Sequence, residues 1–144
     1  MKNINEFKLI IESKGVNEAF SRAVVSAFVS PADPTIEELT DIKTAVSEAV
    51  TNSIVHGYKN SLGNVYIEGS IDENNVVKIK IKDKGVGIED VKLAMQPLYT
   101  SGDENRAGLG FTVMQSFCDR VKVSSSLNKG TTVTLTKKIK GKAL

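Results

Sequence analysis

The sequence holds a single cysteine, Cys118, and a single histidine, His56, among its 144 residues. One cysteine cannot close an internal disulfide, which fits a reducing compartment. No apolar run approaches the roughly 18 residues that span a bilayer. The N-terminus MKNINEF also lacks the apolar core of a signal peptide, so a cytoplasmic protein is expected. Charge of one sign is nearly balanced out. A formal net charge of +2 is too small an excess to argue for nucleic-acid binding. Internal repeats, low-complexity tracts and linkers are absent too, which leaves residues 1–144 as one domain.

What is present is an ordinary globular balance, 40% hydrophobic and 25% charged residues. Glu6 to Ile11 can form a first strand. Val16, Ala19, Phe20, Ala23, Val24, Ala27 and Phe28 recur at helical spacing, predicting a helix over 16–29 that Pro31 and Pro34 end. Thr35 with Glu38 three residues on reads as a capping box for a second helix, Ile36 to His56, with Gly57 as its stop. Strands follow at 65–71 and 76–82; in the second, Val77, Ile79 and Ile81 alternate with Lys78, Lys80 and Lys82. A short helix at 89–95, an aperiodic loop from Gln96 to Ala107, a helix over 111–118 and strands at 121–126 and 131–138 complete the order. Helices stacked on one face of a mixed sheet, an α+β fold, accommodate it. The lysines Lys137, Lys138, Lys140 and Lys142 read as a solvated, frayed end.

Three separated pieces carry candidate chemistry. On the second helix Glu48, Asn52 and His56 stand at i, i+4 and i+8, a polar stripe beside the buried face of Ile42, Val46, Ala49 and Ser53. The Asn52 carbonyl is a hard oxygen ligand for Mg²⁺, and Glu48 one turn away can take a proton from an attacking hydroxyl. Alone, the pair reads rather as a solvated helix face. The second piece is Asp83-Lys84-Gly85-Val86-Gly87 at a strand end. Its glycines let a ligand approach the backbone, and its carboxylate can accept from the adenine amino group, where guanine presents a carbonyl. An ordinary turn has the same pattern. The third is Gly108-Leu109-Gly110, preceded by Arg106 and expected to open a helix. Free amides, the helix dipole and the guanidinium there suit phosphate, though a hinge with a helix cap would look alike. No Gly-x-x-x-x-Gly-Lys-Ser/Thr loop and no Gly-x-Gly-x-x-Gly fingerprint is present.

Taken together, in this order and spacing, the three pieces resemble the GHKL family of gyrase, Hsp90, histidine kinases and MutL. Within that family the chain is similar to the anti-sigma factor serine kinases of spore-forming bacteria. The likeness is carried by SEAVTNSIVHGY (Ser47 to Tyr58), DKGVGI (Asp83 to Ile88), QPLYTS (Gln96 to Ser101), GLGFTVM (Gly108 to Met114), NKGTTV (Asn128 to Val133) and the run from Asp33 to Asn52. It covers nearly the whole chain. The resemblance implies the Bergerat fold, a two-layer sandwich with a mostly antiparallel sheet. It also implies sequestration of a sporulation sigma factor, and phosphorylation by Mg²⁺-ATP of a serine on an anti-anti-sigma factor, with ADP as product. By position it makes Glu48 the catalytic base, with Arg106 beside the transferred phosphate, and Asn52 the Mg²⁺ ligand. Asp83 would hold adenine over Gly85 and Gly87, while Arg106, Gly108, Leu109 and Gly110 contact phosphates and Thr131 sits near the nucleotide. Arg22 would contact protein partners, and the family acts as a homodimer. Three alternatives stay open: an ATP-gated binding module without turnover, a stress-response kinase of the same family, and a histidine-kinase fragment. For the last, 144 residues leave no room for a phosphorylated helical domain.

Overall fold

The computed structural model describes residues 2–96 and 104–142, and side chains within that range except those of 104–109. Strand β1 (Asn3–Glu12) leads into α1 (Val16–Val29), a single 3-10 turn (Ser30–Ala32) and α2 (Ile36–Asn52). The hairpin β2 (Asn64–Asp72) and β3 (Val76–Asp83) follows, then α3 (Val91–Ala94), α4 (Glu104–Phe117), β4 (Arg120–Ser126) and β5 (Gly130–Lys138). The five strands form one sheet in the order β1-β2-β3-β5-β4, and all four pairings are antiparallel. The sheet expected to be mixed therefore contains no parallel pair among the described residues.

Alternation along each strand decides the two faces. Val77, Ile79 and Ile81 are buried under the helices, while Lys78, Lys80 and Lys82 are exposed on the other side. There Glu68 lies between Lys8 and Lys80, at 3.7 and 3.8 Å, solvated pairs that contribute little stability. The helical layer supplies Val25 and Val29 from α1, Ile42, Ala45, Val46, Ala49 and Val50 from α2, and Phe111 and Met114 from α4. These join the strand residues in one apolar cluster. Burying each of the larger of these side chains is worth about 1.5–3 kcal/mol, so the helix–sheet interface is the main source of stability.

The capping box forms as the sequence predicts: Thr35 Oγ1 accepts from the Glu38 amide at 3.0 Å, and the Glu38 carboxylate accepts from the Thr35 amide at 2.9 Å. That carboxylate also accepts from the amides of Lys140 at 2.7 Å and Gly141 at 3.1 Å, which holds the C-terminal strand exit against the start of α2. The lysines there are only partly a frayed end. Lys137, on the helix-facing side of β5, pairs with Asp41 at 3.6 Å and donates to the Phe117 carbonyl at 2.9 Å. Among the described residues no helix is long and apolar enough to cross a membrane.

Candidate nucleotide-binding site

Helix α2 turns its apolar stripe to the sheet and leaves Glu48 and Asn52, both half-buried, on its flank against α4. The two helices meet closely because Gly110 has no side chain. A methyl group there would lie 3.1 Å from Glu48 Oε2 and 3.3 Å from Asn52 Nδ2. Asn52 Nδ2 is buried with no hydrogen-bond partner among the described residues. Leaving such a group unpaired costs about 1–3 kcal/mol, so a ligand is its natural complement. Turned by half a revolution, the same amide places Oδ1 there, a hard oxygen suited to a cation.

After Asn52 the helix widens into a π turn, Ser53–Gly57, closed by the Tyr58 amide on the Ser53 carbonyl at 2.9 Å. The sequence predicts continuous helix to His56, and nothing in its pattern announces the wider turn. The widening brings Gly57 against Asp83, whose Cγ lies 2.8 Å from where a Gly57 methyl would stand. It also aims the Gly57 carbonyl at the Val86 amide, 2.9 Å away.

Asp83 is the last residue of the ladder Val77, Ile79, Ile81, so the same alternation that buries the isoleucines buries its carboxylate, leaving it 3% exposed. Burial pushes the carboxyl above the ordinary range, against hydrogen bonds from the Gly85 amide, the Ser53 hydroxyl and the Thr131 backbone that hold it down. The Gly85 amide donates at 2.9 Å. Gly85 is pressed so closely on the π turn that a methyl group would stand 2.1 Å from the Gly57 carbonyl oxygen. Gly87 sits at φ +75°, a left-handed conformation that favours glycine. The turn is tied to the β4–β5 hairpin by Asn128, whose amide donates to the Val86 carbonyl at 2.6 Å.

Between these walls lies a cavity of about 350 Å³. Asn52 and Asp83 both line it, with Gly87, Thr131 and apolar Phe111 and Leu127. An apolar slot with a few convergent polar groups is the usual form of a small-molecule site. The predicted residues thus divide into groups. Asn52, Asp83, Gly87 and Thr131 line the cavity; Glu48, Gly85 and Gly110 do not, Glu48 and Gly110 meeting beside Asn52 while Gly85 packs on the π turn. Arg22 is elsewhere: on α1 its Nε donates to Glu18 at 3.1 Å, and the other Glu18 oxygen accepts from Ser47. Lys84 does not line the cavity; its ammonium lies 5.0 Å from the centre of the Tyr66 ring.

One local expectation is corrected. Gly108-Leu109-Gly110 does not open a helix, because α4 already begins at Glu104. An acid at the first helical position suits the positive end of the dipole, and the free amides of the first turn belong to residues 104–107. The side chains of Arg106 and Leu109, and residues 97–103 of the expected loop, lie outside the described residues. Sequence reasoning missed Ser53, Gly57 and the apolar walls Phe111 and Leu127. The parity of β3 extended to Asp83 is the signal that leads to the site's inner face.

The histidine kinase-like ATPase domain model matches residues 15–137. The anti-sigma F factor of Clostridium kluyveri is 54% identical over 134 residues, covering 92% of this chain and 94% of that protein. The anti-sigma F factor of Thermoanaerobacter pseudethanolicus is 53% identical over 140 residues, covering 96% and 97%. That of Geobacillus kaustophilus is 51% identical over 142, covering 97% of each. Among solved structures, the RsbU and RsbW domains of a Mycobacterium tuberculosis protein superpose with a TM-score of 0.67 at 15% identity. That match covers 94% of this chain but 32% of the other, and shows the fold alone. With its cavity, its sheet order and these relatives, the chain belongs to the anti-sigma F factor family of histidine kinase-like ATPase domains.

Proposed function

We propose that residues 1–144 form one ATP-binding kinase domain that sequesters a sporulation sigma factor and phosphorylates a serine on an anti-anti-sigma factor. The observation that carries the reading is the buried Asp83 carboxylate in the same cavity as the orphaned Asn52 amide. Asp83 accepts from the adenine amino group, above the floor made by Gly85 and Gly87. Asn52, lining the same cavity, supplies an oxygen to Mg²⁺. Among the described residues no cluster of His, Cys, Asp or Glu can hold a metal, so such an ion would depend on Asn52 and on the phosphates themselves. When bound, Mg²⁺ neutralises phosphate charge during transfer.

Glu48, one helical turn before Asn52 and beside Gly110, takes the proton of the attacking serine hydroxyl. Arg106 adds a fixed positive charge for the transferred phosphate. The amides of Gly108, Leu109 and Gly110 lie inside α4 and reach a phosphate only if its first turns unwind. Each helical glycine lowers the cost of unwinding by about 1 kcal/mol relative to alanine. Arg22, on α1 and not among the residues that line the cavity, serves protein partners, and the protein works as a homodimer in the cytoplasm.

The test is incubation with labelled ATP and candidate anti-anti-sigma proteins, followed by mapping of the modified residue. Glu48→Gln is expected to keep ADP binding and to slow transfer about 100-fold or more, the usual scale for a general base. Unimpaired transfer by Glu48→Gln removes the base assignment. Binding of partner and nucleotide by the wild type with no transfer leaves an ATP-gated sigma-binding module.

A further inference from the structure

Strand β3 lies between β5 and β2, and it parts from them at different points. With β5 it stays paired to its last row, Asp83 opposite Thr131. With β2 it stops one row earlier, at Lys82 opposite Tyr66, although β2 itself runs on to Asn64 beside Glu12 of β1. The sheet therefore forks where Asp83 stands. Extended by two residues, the β2–β3 register would set Asn64 opposite Lys84.

A side chain closes the fork. The Tyr58 hydroxyl donates to the Asn64 carbonyl at 2.5 Å and accepts from the Lys84 amide at 2.8 Å. A phenol has one proton to give and lone pairs to receive, so both contacts are made at once. The hydroxyl stands in for the missing rung, two hydrogen bonds long instead of one. Its ring is seated by Gly63, where a methyl group would lie 2.5 Å from Tyr58 Cε1. Tyr58 also follows directly on the π turn, which holds the same stretch of chain twice more. The Ser53 hydroxyl bonds the Asp83 carboxylate, and the Gly57 carbonyl accepts from the Val86 amide at 2.9 Å. Asp83, Lys84 and Val86 are each tied to residues 53–58.

We infer that Tyr58 is a positioning residue of the nucleotide site: by bridging the forked strands it fixes the backbone that follows Asp83, and with it the aim of that carboxylate at the adenine amino group. This rests on the adenine reading of Asp83 given above. Tyr58 does not line the cavity and touches no ligand; it acts through the residue next to Asp83. Without the hydroxyl the Lys84 amide loses its protein partner, and the backbone at the fork is held from the β5 side of the sheet only. A hydrogen bond to a buried carboxylate depends on direction as well as distance, so a small swing of Asp83 is enough to weaken it.

Tyr58→Phe removes the hydroxyl and keeps the ring, and two measurements on the full-length chain separate positioning from general loosening. Calorimetry compares ADP with purine riboside diphosphate, which lacks the amino group and so cannot meet Asp83. Tyr58→Phe is expected to weaken ADP roughly three- to tenfold, the range of one neutral hydrogen bond, and to leave the analogue within about twofold of its wild-type affinity. Amide exchange of the ligand-free protein is read by NMR. The Lys84 amide should exchange roughly three- to tenfold faster or more, while Ile79 and Ile81, deep in the same strand, keep their wild-type rates. Equal weakening of both nucleotides, unchanged ADP affinity, unchanged exchange at Lys84, or faster exchange along the whole of β3 overturns the inference. Wild-type binding that does not distinguish the two nucleotides overturns the adenine reading of Asp83 instead, and no ADP binding by the wild type overturns the nucleotide site.

Discussion

Replacing Asp83 with asparagine keeps the shape of the side chain and removes its charge. In the native protein the carboxylate accepts from the Gly85 amide at 2.9 Å and from the Ser53 hydroxyl, and burial works against its ionisation. Asparagine relieves the buried charge, but its amino group now faces donors. Against the adenine amine the change replaces a charge-assisted hydrogen bond, worth about 1.5–3 kcal/mol, with a donor–donor contact or at best a neutral bond. ADP should therefore bind Asp83→Asn about 10- to 150-fold more weakly, the factor those energies give. Calorimetric titration reads this directly, and thermal denaturation without ligand confirms that the variant is folded.

The same residue fixes the pH dependence. Its folded pKa is raised above 3.8, so the folded state holds the proton more tightly than the unfolded chain. As pH falls from neutrality through that raised value, stability of the ligand-free protein rises relative to Asp83→Asn. ADP affinity falls over the same interval, because a protonated carboxyl no longer accepts on both oxygens. Wild-type and variant affinities within twofold of each other, or parallel pH profiles, would refute the assignment of Asp83 to adenine.

Gly85→Ala places a methyl 2.1 Å from the Gly57 carbonyl oxygen, a backbone clash that only movement of the π turn can relieve. A loss of about 2–4 kcal/mol is expected in urea denaturation, with ADP binding impaired in the fraction that folds. Glu38→Ala removes the acceptor for the Thr35, Lys140 and Gly141 amides. A loss of about 1–2 kcal/mol, or about 3–8 °C in melting temperature, follows from the scale of a capping interaction. Burial raises the Glu38 pKa but those hydrogen bonds outweigh it, leaving the value below 4.5, so its stabilisation is present above that pH. The difference between wild type and variant should close as pH falls through the lowered pKa.

Most of the fold is legible from alternation and caps. Val16–Val29 is a helix with the predicted bounds, and each strand lies within a few residues of its expectation. These elements are fixed by local pattern, where period and capping chemistry agree. The start of α4 was not legible, because two glycines interrupt the residues that would show a helical period. The π turn was hidden for a different reason: Ser53 to Gly57 has no local feature that demands a wider turn, and its geometry reflects tertiary fit against Asp83 and Val86. Of the site, Asn52 and Asp83 could be named from residue type and position. That one is an orphaned amide and the other a buried carboxylate in a shared cavity depends on how α4 and the sheet close around them.

The placement of Asp83 at the end of the β3 ladder has a consequence for how this protein can fail. Sliding β3 by one residue against β2 and β5 would turn Ile79 and Ile81 to solvent and Asp83 out of the cavity in the same movement. A single-residue insertion or deletion within the strand would do likewise. Frame errors therefore destroy packing and recognition together, and no misregistered form can persist as a folded but ligand-blind protein. A stable chain that has lost only its nucleotide can arise by substitution at the last row, not by slippage of the strand that leads to it.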